Sequence, residues 1–178
     1  MSNALFDGLA GMLVGKMMAT GNAPAEAEAL EYLSPSPSDA VLVIVFGPGV
    51  GLSLLADRLV DGYCVGVDPS GAMLKLARKR CAGGIAAGRI RLQKTTAASI
   101  DASDAMFDGA VAVNALQLCE PFAHTAIELS RVMKRGAPLV SLTHDWAAER
   151  HAGSVEAWTR RMANDLEMNG FTAIAHGR

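Results

Sequence analysis

The sequence predicts a three-layer α/β domain built around a mostly parallel sheet. Three observations lead there. Residues 41–46 are a continuous apolar run that breaks into Gly47-Pro48-Gly49-Val50-Gly51, and such a run marks a parallel strand covered on both faces. A second short apolar segment, 63–67, ends on Asp68-Pro69-Ser70. Beyond it, apolar and helical segments alternate to the end of the chain, which implies parallel strands joined by right-handed crossovers.

The chain has 178 residues, 51% of them hydrophobic, enough for one domain with its own core. Residues 1–37 read as an N-terminal helical cap and linker, and 38–178 as the ligand-binding domain. Leu5, Leu9, Met12, Leu13 and Met17 recur at helical spacing, so an amphipathic helix is expected within residues 1–20. Asp7 and Lys16 interrupt that segment, which is too short to span a bilayer and has no basic stretch before it. No membrane association is expected.

A helix over 24–32 starts on Pro24 and carries Glu26 and Glu28 in its first turn. Ser34-Pro35-Ser36-Pro37-Ser38 is an extended linker into the first strand. A helix over 52–59, a strand over 63–67 and a helix over 71–81 follow. Residues 83–88 are too glycine-rich to favour a helix and read as a loose connection before a strand at 89–93. Strands at 106–113 and 139–143 flank a helix over 121–133. A helix over 155–169 stops at Gly170, and Phe171-Thr172-Ala173-Ile174-Ala175 reads as a sixth strand.

Net charge is −2 and the pI about 6.1, so no basic surface argues for nucleic acid. Lys75, Arg78, Lys79 and Arg80 fit the solvated last turns of a helix, where cations suit the dipole. Cys64, Cys81 and Cys119 form no CxxC and cannot all pair, which points to a reducing, cytoplasmic setting. His124, His144, His151 and His176 lack metal-ligand spacing, so no metal is expected.

Glycines straight after a strand let the backbone turn tightly and approach a ligand, with the N–H groups of the next helix pointing back at the turn. An acidic residue about 20 positions further on can accept bonds from ribose hydroxyls, and Asp68 stands there. Together these suggest a nucleotide-type cofactor. The dinucleotide spacing G-x-G-x-x-G fails, because Leu52 and Leu54 occupy the places of its third glycine. An NAD(P) oxidoreductase is therefore the weakest reading. Each residue also has a purely local role open to it: Asp68 as a helix cap, the glycines as a tight turn, Asn114 as a strand terminator.

Four segments, taken in order, resemble the class I S-adenosylmethionine-dependent methyltransferases, in their small-molecule branch. They are Phe46-Gly47-Pro48-Gly49-Val50-Gly51, Gly66-Val67-Asp68-Pro69-Ser70 with Met73-Leu74, the run Phe107 to Leu116, and Glu128-Leu129-Ser130-Arg131-Val132-Met133-Lys134-Arg135-Gly136. They span about residues 38–145. The resemblance implies a Rossmann-like methyltransferase sheet, S-adenosyl-L-methionine as cofactor and methyl transfer to a small-molecule acceptor. The family's seventh strand has no room before Arg178. The sixth would then be an exposed edge, and exposed edges invite pairing, so a homodimer is expected.

By the same resemblance, Phe46, Gly47, Pro48 and Gly49 would lie against the methionine and ribose of the cofactor. Asp68, with Pro69 and Ser70, would take the ribose hydroxyls, and Met73 the adenine. Thr96 and Ala97 stand where the family has an acidic residue for the adenine amino group. Asn114 and Ala115 would face the sulfonium end. His144, beside Asp145 and Trp146, is the candidate base for an acceptor that must lose a proton, and Trp146 and Trp158 either line an acceptor pocket or pack the late helix. The chain departs from the family at Val43 (usually acidic), Val45 (usually glycine) and Thr96 (usually aspartate). Val43 removes a carboxylate that would help to hold the cofactor's ammonium group, so weaker binding is expected. The alternative reading is a catalytically weak or inactive methyltransferase-like protein that acts through protein interaction.

Overall fold

The computed structural model describes residues 21–152 and 154–175, so the helix expected within 1–20 lies outside the described residues. The element order is α1 (Ala23–Leu33), β1 (Ala40–Ile44), α2 (Val50–Arg58), β2 (Tyr63–Val67), α3 (Gly71–Arg80), α4 (Ala82–Ala86), β3 (Ile90–Gln93), β4 (Gly109–Val113), a 3₁₀ turn (Leu116–Leu118), α5 (Phe122–Val132), β5 (Leu139–Leu142), α6 (Asp145–Ala152) and α7 (Val155–Met168). The strands form one parallel sheet in the order β3-β2-β1-β4-β5. Strand order reverses beside β1, and in such sheets the ligand crevice opens at the carboxyl ends next to that switch point.

Strand alternation sorts β1 between two cores. Leu42 and Ile44 face the layer that includes Leu129, Val132, Trp158 and Leu166, from α5 and α7. Val41 and Val43 face the opposite layer, with Leu30, Leu33, Leu52, Leu55 and Met73 from α1, α2 and α3. Every β1 residue is buried, as the uninterrupted apolar run requires. Each fully buried Leu or Val contributes roughly 1.5–3 kcal/mol relative to exposure.

Several boundaries differ from expectation. β1 stops at Ile44 because Val45 has φ 52, a left-handed conformation that no strand continues through. The stretch expected to be loose contains a short helix, α4, whose Gly84 packs so closely on Ile90 that a Cβ there would sit 2.6 Å from its Cδ1. Residues 106–108 precede β4 rather than belonging to it. The amides of Met106 and Phe107 bond Val132 O at the end of α5 (2.8 and 3.0 Å), and Asp108 Oδ2 accepts from Ala40 N at 3.0 Å.

The sixth strand does not form. Ala173 has φ 57, which breaks the extended run in its middle, and Phe171 and Ile174 pack on the core without ladder bonds. That segment's apolar residues serve packing, and the edge strand from which a homodimer was expected is missing. α6 was not foreseen; it begins directly after His144. No helix among the described residues is long and apolar enough to cross a membrane.

Candidate functional site

A cavity of about 480 Å³ opens at the carboxyl ends of β1, β2 and β4. Its floor is the glycine turn. Gly47 and Gly49 have φ 52 and 83, conformations that L side chains resist. Gly47 lines the cavity with Val45, Phe46, Pro48 and Val50. Gly49 does not; its hydrogen faces α3, where a Cβ would meet Ala77 Cβ at 3.0 Å and Cys81 Sγ at 3.1 Å. It lets the turn seat against the next helix.

Asp68 is 2% exposed. Its Oδ2 accepts from Gly47 N at 2.9 Å and its Oδ1 from Ser70 N at 2.8 Å. Burial pushes its carboxyl up to about 6, against the opposing pull of those two bonds. The cap of α3 belongs to Ser70, whose Oγ accepts from Met73 N at 3.3 Å. A carboxylate offers about four acceptor positions, so Asp68 can bind both loops and still accept from ligand hydroxyls. Pro69, Ser70 and Met73 continue this wall.

Thr96, Ala97 and Ala98 also line the cavity. They lie on the long connection between β3 and β4, which α5 braces. Glu128 Oε1 accepts from Ile100 N at 2.7 Å. Arg131 donates to Ala102 O at 2.8 Å and Ile100 O at 3.1 Å, and pairs with Asp104 at 2.7 Å and Glu128 at 2.8 Å. Two residues of the Glu128–Gly136 segment thus act by holding a distant loop against the cavity.

Asn114, at the end of β4, has φ 48 and is nearly buried. Its Nδ2 donates to Asn22 Oδ1 at 3.3 Å. Its Oδ1 accepts from the backbone N of His144 at 2.9 Å and lies 3.0 Å from His144 Nδ1. A backbone N–H can only donate, so the amide oxygen is the atom it meets, and Nδ1 must carry the imidazole proton. Neutral His144 is therefore the tautomer whose Nε2 is free to accept. His144 is exposed, stacks on Trp146 (ring centroids 6.2 Å apart) and is outside the cavity lining, as is Asp145. Its orienting partner is Asn114. Ala115 is buried in the core behind the cavity, Trp146 is exposed, and Trp158 packs in the α5–α7 layer.

Sequence reasoning missed part of the lining: Asn22 at the N-cap of α1, Glu26 in its first turn, and Leu118, Cys119, Glu120, Pro121, His124 and Thr125 after β4. Position directly beyond a strand's carboxyl end could have flagged the second group. Nothing local in the sequence says that α1 folds over the glycine turn. The charged lining side chains are Glu26, Asp68 and Glu120, with His124 the one other ionisable ring and no Lys or Arg among the described lining residues. Burial pushes the Glu26 carboxyl up to about 7 and the Cys119 thiol up to about 11.

The family model for the methyltransferase domain matches residues 41–136, from β1 through the turn after α5, more than half of the chain. The chain belongs to the methyltransferase-domain family. The uncharacterised methyltransferase YdaC of Bacillus subtilis (strain 168) is 24% identical over 163 residues, covering 92% of this chain and 88% of that protein. Among solved structures, one of a Methanococcus maripaludis protein, described as an S-adenosyl-L-methionine-dependent methyltransferase, superposes with a TM-score of 0.74 at 18% identity over 94% of this chain and 86% of its own. Geranyl diphosphate C-methyltransferase from Streptomyces coelicolor A3(2), solved with Mg²⁺, geranyl diphosphate and S-adenosyl-L-homocysteine, gives 0.62 at 18% identity, over 78% of this chain and 60% of that one.

This methyltransferase uses S-adenosylmethionine. The lining would suit the cationic sulfonium and ammonium of such a donor, because the charged side chains facing the cavity are carboxylates. When bound, the cofactor supplies a methyl group already activated on sulfur.

Proposed function

We propose that this methyltransferase transfers the methyl group of S-adenosylmethionine to a small, uncharged or cationic organic acceptor. The observation that carries this reading is the cavity lining, with three carboxylates and, among the described residues, no Lys or Arg. An anionic acceptor would meet like charge there and find no cation to offset its desolvation. The Streptomyces enzyme was crystallised with a diphosphate and Mg²⁺. Here no group of three or more His, Cys, Asp or Glu suited to a metal occurs among the described residues, and no basic side chain awaits a diphosphate.

In this reading Asp68 holds the ribose hydroxyls, and Phe46, Gly47 and Pro48 lie along the ribose and amino-acid portion. Met73 and Ala97 flank the adenine, with Thr96 as a neutral acceptor for its amino group. Asn114 faces the sulfonium end, and Gly49 and Ala115 support the site from behind. Much of the rate comes from alignment of acceptor and methyl group. A base is required only where the acceptor loses a proton. His124 is within the lining, while His144 stands behind Asn114 with Nε2 available.

Calorimetric titration with S-adenosylhomocysteine, in the wild-type chain and in Asp68→Ala, tests the cofactor assignment. Micromolar binding that the substitution abolishes is expected; no binding at millimolar ligand would sink it. Labelled methyl transfer across a panel of matched acceptors with and without phosphate then tests the acceptor class. Preferential methylation of the phosphorylated members would overturn that part.

A further inference from the structure

Glu26 is an ionisable group that the methyl-transfer chemistry above leaves without a task. It projects from the first turn of α1 to the cavity, beside the first turn of α2. Its carboxylate comes so close to Gly51 that a Cβ on that residue would collide with it. The third glycine of the turn is thus the gap that admits this side chain. The group is partly buried and strongly desolvated, and among the described residues its carboxylate has no hydrogen-bond or ion-pair partner. A carboxylate in that condition costs stability unless something cationic completes it. No Lys or Arg lines the cavity to do so.

The sheet makes the same point from the other side. Val43 and α1 occupy one face of the sheet, packed in one apolar cluster. β1 therefore turns only the buried Val41 and Val43 to the face from which α1 delivers a carboxylate. Asp68 is bonded to Gly47 N and lines the same cavity as Glu26, together with Met73 and Ala97. A cofactor with its ribose on Asp68 and its adenine by Met73 and Ala97 runs its amino-acid end past Gly47 toward Glu26.

We propose that Glu26 is the counter-ion of the cofactor's α-ammonium group, so that α1 supplies the charge that β1 lacks. This rests on the S-adenosylmethionine site described under Proposed function. It makes the N-terminal helix part of the cofactor site rather than a cover over the core.

The test compares two ligands and two proteins by calorimetry at pH 8. The ligands are S-adenosylhomocysteine and its deaminated analogue, in which hydrogen replaces the α-amino group. The proteins are the full chain and Glu26→Gln, with melting curves of the free proteins as a folding control. Substitution is expected to weaken S-adenosylhomocysteine roughly tenfold or more, as loss of a charged hydrogen bond does, and to leave the deaminated analogue within about twofold. Equal loss for both ligands, or no loss for either, overturns the Glu26 assignment while the cofactor site stands. Absence of binding to the wild-type chain overturns both.

Discussion

Gly47 donates its backbone N–H to Asp68 Oδ2 at 2.9 Å, joining the turn after β1 to the turn after β2 across 21 positions of sequence. The bond fixes the glycine turn against the acidic side chain with which it frames the cavity. Asp68 thereby braces the two turns while its side chain lines the cavity. Its carboxyl, pushed up to about 6 by burial, protonates just below neutrality.

Affinity for S-adenosylhomocysteine should therefore fall as pH drops from 8 to 5, because protonation removes the negative charge on Asp68, near 6, and on Glu26, near 7. Asp68→Asn should bind more weakly throughout and lose the lower-pH part of the profile. Titrations in a pH series check this; a profile of unchanged shape in Asp68→Asn would refute it.

Glu26→Gln should stabilise the free protein at alkaline pH. The folded-state carboxyl lies at about 7 against an ordinary 4.5, so the proton is held more tightly in the folded chain. The stability it contributes is present below about 4.5 and lost as pH rises through 7, roughly 3 kcal/mol at most. Melting at pH 8 should show Glu26→Gln above wild type, and the difference should close toward pH 5.

Gly49→Ala and Gly51→Ala should part company. At Gly49 a Cβ meets Ala77 and Cys81 from a left-handed backbone, costing on the order of 2–3 kcal/mol from strain and overpacking together. At Gly51 the obstacle is only the end of the Glu26 side chain, and alanine favours the helix by about 0.5–1 kcal/mol. Urea unfolding of the two variants measures the contrast.

Asn114→Ala removes the acceptor for the backbone amide and Nδ1 of His144 and the donor to Asn22, and leaves a left-handed alanine. A loss of about 2–3 kcal/mol is expected. It should be accompanied by a shift in the His144 imidazole resonances, because the proton on Nδ1 loses its partner.

Arg131→Ala should loosen the connection before β4 without unfolding the sheet. The guanidinium holds the carbonyls of Ile100 and Ala102 and the carboxylate of Asp104. Faster amide exchange over residues 95–104, with β1 and β4 unchanged, is the expected pattern.

The sequence by itself determined the parts of this protein whose signal is local. A buried parallel strand needs an unbroken apolar run, a strand-to-helix turn needs glycines, and the next strand ends on Asp68; each is written within a few consecutive residues, and each lies where it was expected. Tertiary structure decided what depends on neighbours distant in sequence. The apolar residues at 171–175 could serve a ladder or mere packing, and the left-handed Ala173 settled it for packing. Gly49 reads as a ligand-facing glycine until α3 is seen against it. His144 reads as the partner of its neighbour Asp145 until Asn114, thirty positions earlier, is seen to accept hydrogen bonds from its backbone N and its Nδ1. Glu26 is one more acidic residue in a helix's first turn until α1 folds over the glycine turn, where burial strips its carboxylate of water and leaves it facing the cavity.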